Sequence, residues 1–104
     1  MTMNSNGTRL VRIVRLTFNE ETIGEFESLY AEHYEAISSV KGCIGVELVT
    51  DSVNPFIKAT ISQWIDEASL NEYRKSKLFG VIWPATKKLF AAKPEVVSYL
   101  LPAE

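Results

Sequence analysis

Cysteine and histidine occur once each in this 104-residue chain, as Cys43 and His33. A lone cysteine closes no internal disulfide. One cysteine with one histidine cannot build a standard zinc site, so no metal is expected. No apolar run approaches the roughly 20 residues that span a bilayer. The amino terminus has neither the basic nor the apolar segment of a secretory signal, so the expectation is a cytoplasmic protein with no membrane partner. Basic residues are also few: 11 Lys and Arg against 13 Asp and Glu leave a net charge of −2. That balance argues against a nucleic-acid partner, which calls for a basic surface. Missing too are a phosphate-binding glycine loop, a dinucleotide glycine fingerprint and a Ser-His-Asp signature in context.

The hydrophobic share is 46% and the charged share 23%, which suits a folded chain and not a disordered one. The length fits a single domain that buries a core without disulfides or metal. Residues 1–7 are short and polar and read as a disordered leader. Residues 8–104 read as one domain.

The order of elements can be read from periodicity and from its interruptions. Thr8–Phe18 is rich in aliphatic and β-branched residues and reads as a strand. Its two faces are Leu10, Arg12, Val14, Leu16, Phe18 and Val11, Ile13, Arg15, Thr17; both carry apolar residues, so both are expected to be covered. Asn19 offers a helix cap, and Ile23, Phe26, Leu29, Tyr30, His33, Ile37 and Val40 recur at helical spacing over Glu20–Val40. Gly42 ends that helix. Cys43–Thr50 and Phe56–Ile65 read as strands joined by the Asn54-Pro55 turn, close enough for a hairpin. Asp66 and Ser76 are caps for two further helices. The second of these carries the stripe Phe79, Ile82, Trp83, Thr86, Leu89, Phe90, and Pro84 within it predicts a kink or break near Ile82–Trp83. Glu95–Leu101 is the last strand.

This is the βαββαβ order of a ferredoxin-like α+β fold, an antiparallel four-stranded sheet with helices on one face. Apolar residues on the other face of the strands then need cover. A second copy of the chain provides it most simply, as a homodimer through the sheet face.

Three stretches carry a resemblance. They are the helix-to-strand junction Val40-Lys-Gly42-Cys-Ile-Gly45-Val-Glu47-Leu48, the strand exit Ser62-Gln-Trp64-Ile-Asp66-Glu67, and Ala68-Ser-Leu70-Asn-Glu-Tyr73-Arg-Lys-Ser76-Lys-Leu-Phe79. The chain resembles the antibiotic biosynthesis monooxygenase family, within the dimeric α/β-barrel superfamily, over roughly Arg9–Leu101. The resemblance implies a pocket between sheet and helices and a dimer in which two sheets pack face to face into a barrel. It also implies oxidation of a phenolic or polycyclic substrate by dioxygen with no flavin, haem or metal. The histidine and tryptophan of the haem-degrading branch fall on Trp83 and Tyr73 here, so haem cleavage is not expected.

Against that background, His33 is a candidate catalytic base or donor, because helical spacing sets it on the apolar side of the first helix. Its structural alternative is a half-buried histidine hydrogen-bonded at the helix edge. Tyr73, with Tyr34, could donate a phenol to a substrate oxyanion. Phe26, Tyr30, Trp64, Phe79 and Trp83, with Phe90, could wall a pocket for a small apolar or aromatic ligand, or could simply be core. Arg12 or Arg15 is expected to pair with a carboxylate such as Glu47, or to receive a carboxylated ligand. Cys43 reads as a small buried hydrophobe. Two functions follow: a cofactor-independent monooxygenase acting on a small aromatic or quinol-like compound, or a non-catalytic small-ligand-binding protein of the same fold.

Overall fold

The computed structural model of the protein describes residues 8–102; the expected leader at 1–7 lies outside them. Seven elements follow one another: β1 (Thr8–Thr17), α1 (Ile23–Ser38), β2 (Cys43–Thr50), β3 (Ile57–Trp64), α2 (Glu67–Arg74), α3 (Lys77–Lys87) and β4 (Glu95–Pro102). The strands form one antiparallel sheet in the order β2-β3-β1-β4. This is the ferredoxin-like α+β arrangement, with the helices on one face.

Register fixes which side chains share that face. Leu10, Arg12, Val14 and Leu16 of β1 stand opposite Trp64, Ser62, Thr60 and Lys58 of β3. Leu100, Ser98 and Val96 of β4 continue the first three rows. Two core clusters form beneath the helices. One gathers Val14, Leu16, Phe18, Phe26 and Leu89, with Tyr30, Leu48 and Phe90 against it. The other gathers Leu10, Trp64 and Leu70, with Val40, Cys43 and Tyr73 against it. Burying each large side chain stabilises the fold by about 1.5–3 kcal/mol.

The helix starts follow the caps. Asp66 Oδ1 accepts from the Ser69 N–H at 2.8 Å, and Ser76 Oγ accepts from the Phe79 N–H at 3.2 Å. Asn19 behaves differently from expectation. Its side chain accepts from the Thr22 N–H at 3.1 Å, closing a turn over residues 20–22, and α1 begins only at Ile23. Gly42 adopts φ +87°, the left-handed conformation expected of a residue that turns the chain out of a helix.

Of the kink or break expected near Ile82–Trp83, the break does not occur: α3 runs through Pro84 to Lys87. Proline withholds an amide from the carbonyl four residues earlier. That residue is Gly80, which is exposed, so water can satisfy the carbonyl. Leu89 and Phe90 lie beyond the end of α3 and enter the core from the following turn.

On the sheet's other face stand Val11, Ile13, Ile57, Ile61, Val49, Val97, Tyr99 and Leu101, and no element of the described residues covers them. Every residue of β4 is exposed, Leu100 at 71% and Tyr99 at 56%.

Candidate functional site

The two core clusters do not meet. Between Leu10 of one and Val14 of the other, on the same face of β1, stands Arg12. Its side chain needs water or an anion, so the helices cannot close over it as they close over leucine. A cavity of about 270 Å³ occupies the gap. Ligand sites commonly run from about 300 Å³ upward, so this one suits a small compound, roughly one or two rings.

Its floor is the sheet: Arg12, Val14, Leu16, Val46, Thr60, Ser62, Trp64 and Val96. The helices bring Phe26, Tyr30, Tyr73, Phe79 and Trp83 to its walls, together with Leu70, Arg74 and Thr86. A chain of aromatic contacts links its lining residues, passing through Phe90 and Phe18, which lie outside the lining. Trp64 stacks on Tyr73 at 5.4 Å, Tyr73 meets Phe79 edge-on at 5.2 Å, and Phe79 stacks on Trp83 at 5.8 Å. Phe90 links Trp83 to Phe18, which stacks on Phe26 at 4.4 Å, and Phe26 leads to Tyr30. Such a wall is rigid and offers ring faces to a flat ligand.

Of the aromatic residues named from the sequence as pocket wall, Phe26, Tyr30, Trp64, Phe79 and Trp83 line the cavity, as does Tyr73; Phe90 does not, and packs against the first core cluster instead. His33 does not line the cavity. Helical spacing does put it on the stripe of Phe26 and Tyr30, but its ring turns back along α1, where Nδ1–H donates to the Leu29 carbonyl at 3.0 Å. Sequence reasoning missed Ser62, Thr60 and Arg74. The signals were present: Ser62 and Thr60 alternate with Trp64 along β3, and Arg74 follows Tyr73.

The polar groups of the cavity are donors. Ser62, only 9% exposed, accepts from the Trp64 indole N–H at 3.0 Å, so its own O–H is free to donate. The Tyr73 hydroxyl is pushed up to about 12 by burial, with Cys43 adding and Arg12 opposing, and so remains a protonated donor. Burial also raises Tyr30, whose hydroxyl is buried with no partner. Arg12 is lowered from its ordinary value by burial first and then by the nearby Arg74. Arg15, on the opposite face, sits 3.7 Å from Asp51 and not against Glu47. Cys43 packs at the edge of the second cluster, half-buried, its thiol raised by burial, in keeping with a small hydrophobe. Among the described residues, no group of three His, Cys, Asp or Glu side chains is placed to hold a metal ion.

A family model for the antibiotic biosynthesis monooxygenases matches residues 9–82. The chain belongs to the antibiotic biosynthesis monooxygenase family. The matched span takes in every cavity residue named above except Trp83, Thr86 and Val96, which follow it. Solved structures share the fold. A conserved protein from Methanosarcina mazei Go1 superposes with TM-score 0.86 at 23% identity, over 91% of this chain and 94% of that one. An antibiotic biosynthesis monooxygenase gives 0.80 at 24%, over 91% and 98%. Rv0793 from Mycobacterium tuberculosis gives 0.82 at 14%, over 92% and 96%. No curated protein matches the chain. No described helix is long and apolar enough to cross a membrane.

Proposed function

We propose that the protein is a monooxygenase that acts on a small aromatic or quinol-like compound and needs no flavin, haem or metal. Membership of the family supports a monooxygenase-like role. The observation that carries the finer reading is a cavity with aromatic walls and a floor of hydrogen-bond donors. A phenol or enol seated there loses its proton more readily, because Arg12, Ser62 and Tyr73 can stabilise the oxyanion. The electron-rich anion reacts with dioxygen directly. For a ring methylene the balance is simple: methylene and dioxygen give a ring ketone and water. One oxygen atom enters the substrate, and the other leaves as water with the two methylene hydrogens. The protein supplies position and electrostatics.

One observation favours the alternative, a small-ligand-binding protein without turnover. The titratable side chains lining the cavity are Arg12, Tyr30, Tyr73 and Arg74; no histidine or carboxylate is there to act as a base near neutral pH. Oxygen uptake against phenols, hydroquinones and anthrones separates the two readings. Uptake that depends on substrate and falls at least about tenfold in Tyr73→Phe or Trp83→Ala supports the oxygenase. Binding of the same compounds without uptake supports the carrier. His33→Ala is expected to leave uptake unchanged.

The working form is a homodimer in a reducing, cytoplasmic setting, consistent with a single free thiol. Ile13, Ile61, Val97 and Tyr99 supply an apolar sheet face for a second copy, closing the pair into a barrel. Sedimentation equilibrium is expected to give a dimer for the natural chain and a monomer for Ile13→Asp. A monomer for both removes this part of the proposal.

A further inference from the structure

Among the described residues three polar side chains are buried: Lys58, Ser62 and Thr86. Partners on other elements or along the strand account for the first two. Lys58 meets Glu27 and Thr50, and Ser62 holds the Trp64 indole. Thr86, 4% exposed, is the one polar member of the apolar stripe of α3, and with Phe79, Ile82 and Trp83 it lines the cavity. Its side chain bonds only to its own helix: Oγ1–H donates to the Ile82 carbonyl at 2.8 Å. In an α-helix that carbonyl already receives the backbone N–H four residues on. The hydroxyl adds a second donor to a satisfied acceptor, and such back-bonding slightly destabilises a helix. Valine has the same shape and would bury no polar atom. The packing of α3 alone gives no reason for threonine here.

The bond to Ile82 decides what Thr86 offers to the cavity. A threonine hydroxyl has one proton and two lone pairs. With the proton committed to the helix, the oxygen can only accept. Nothing among the described residues donates to it, and even the Tyr30 hydroxyl, buried at the cavity wall, has no partner. The other polar groups have the opposite character. Arg12, Arg74 and Tyr73 donate, Ser62 has only its proton to give, and Thr60 can do either.

Thr86 also stands apart from those donors. Tyr73 and Ser62 belong to the Trp64 end of the cavity: Tyr73 stacks on that indole, and Ser62 accepts from it. α3 begins near the same end, where Phe79 meets Tyr73. Thr86 follows seven residues later, about 10 Å along the helix, and one turn before Leu89 of the first core cluster. A benzene ring with para hydroxyls, lengthened by one hydrogen bond at each end, spans about 11 Å.

We infer that Thr86 is a specificity-determining residue: its hydroxyl oxygen accepts a hydrogen bond from a second donor group on the ligand, at the end remote from the hydroxyl seated on the sheet. The inference rests on the reading of this cavity as the ligand site. It narrows the substrate class to ring compounds with a donor at each end. An ether oxygen at the second end sets acceptor against acceptor, so an O-methylated ligand is disfavoured beyond its added bulk.

The test uses three probes that share one phenol hydroxyl. Hydroquinone carries a second donor opposite it, 4-methylphenol a methyl group, and 4-methoxyphenol an ether oxygen. Each is titrated calorimetrically into the full-length protein under nitrogen, which excludes turnover. The natural protein is expected to bind hydroquinone tightest and 4-methoxyphenol weakest. Thr86→Val keeps the shape and removes the acceptor. It is expected to weaken hydroquinone about fivefold, the net worth of a neutral hydrogen bond, and to leave 4-methylphenol within about twofold. It is also expected to tighten 4-methoxyphenol. Thr86→Ser keeps the acceptor and is expected to keep the natural order of the three.

If all three bind and Thr86→Val leaves their order unchanged, or weakens all three equally, the role of Thr86 is overturned while the cavity remains a ligand site. Should Thr86→Val fail to fold, the order in the natural protein and in Thr86→Ser decides: 4-methoxyphenol bound as tightly as hydroquinone overturns the inference. If none of the three binds at millimolar concentration, the reading of the cavity falls, and the inference falls with it.

Discussion

The Lys58 ammonium on β3 lies 3.0 Å from the Glu27 carboxylate on α1, and 2.9 Å from the Thr50 hydroxyl on β2. The lysine is 8% exposed, whereas the Glu27 side chain is 52% exposed. The pair therefore ties the first helix to the sheet from beneath, with one partner dry and the other wet.

Because Glu27 is well solvated, the full cost of breaking a buried ion pair does not apply. Glu27→Gln is expected to destabilise the protein by about 1–2 kcal/mol by leaving a buried ammonium poorly partnered. Lys58→Met, which keeps the apolar stem and removes the charge, is expected to stay within about 1 kcal/mol of the natural protein. Urea unfolding of both variants checks the order; equal losses would show that the ammonium is well hydrated after all.

Trp64 is the most buried large side chain, at 1% exposure, and its indole N–H relies on Ser62. Ser62→Ala leaves that N–H without a partner, at an expected cost of about 1–3 kcal/mol. Trp64→Ala removes the stacking partner of Tyr73 and is expected to cost about 3–5 kcal/mol. Thermal unfolding with intrinsic fluorescence distinguishes the two, since only the second loses the buried emitter.

Tyr73 predicts an alkaline limit. Burial raises its hydroxyl from 10.0 to about 12, so the folded state holds the proton more tightly than the unfolded state. This contribution to stability is complete below pH 10 and is lost as the pH rises from 10 towards 12. A spectroscopic tyrosinate titration is expected to show a late phase near pH 12 that disappears in Tyr73→Phe. A late phase that survives the substitution would place it on another tyrosine.

Gly42 tests the turn between α1 and β2. Its φ of +87° is strained for any residue with a side chain, and a Cβ there would collide with the side chain of Ser69. Gly42→Ala is expected to cost about 2 kcal/mol or more, read from the urea midpoint at unchanged slope. A neutral outcome would mean that α2 can shift at little cost.

Much of this architecture is legible in the sequence because each device acts locally. Asp66 and Ser76 cap the helices they precede, and alternation along β1 sorts Arg12 from Arg15 onto opposite faces. The failures have non-local causes. The unbroken helix at Pro84 depends on the exposure of Gly80, which no propensity reports. His33 takes the second of the two places the sequence left open, half-buried with its ring bonded back to the Leu29 carbonyl; spacing alone does not choose between them. The partner of Arg15 is Asp51 in the hairpin turn, a pairing set by how the strands end and not by their alternation. The cavity itself is a property of the gap between two clusters, and a list of apolar residues reads the same whether they meet or stand apart.

Arg12 is where that gap begins, and its position sets stability and use against each other. A leucine at residue 12 would continue the row from Leu10 to Val14 and let the helices settle onto one unbroken core. Such a chain is expected to melt at a higher temperature, having lost a half-buried charge, and to lose the charged group on the cavity floor. Screens that reward thermal resistance alone would therefore drift towards sealing this seam, and would discard the property that makes the molecule useful.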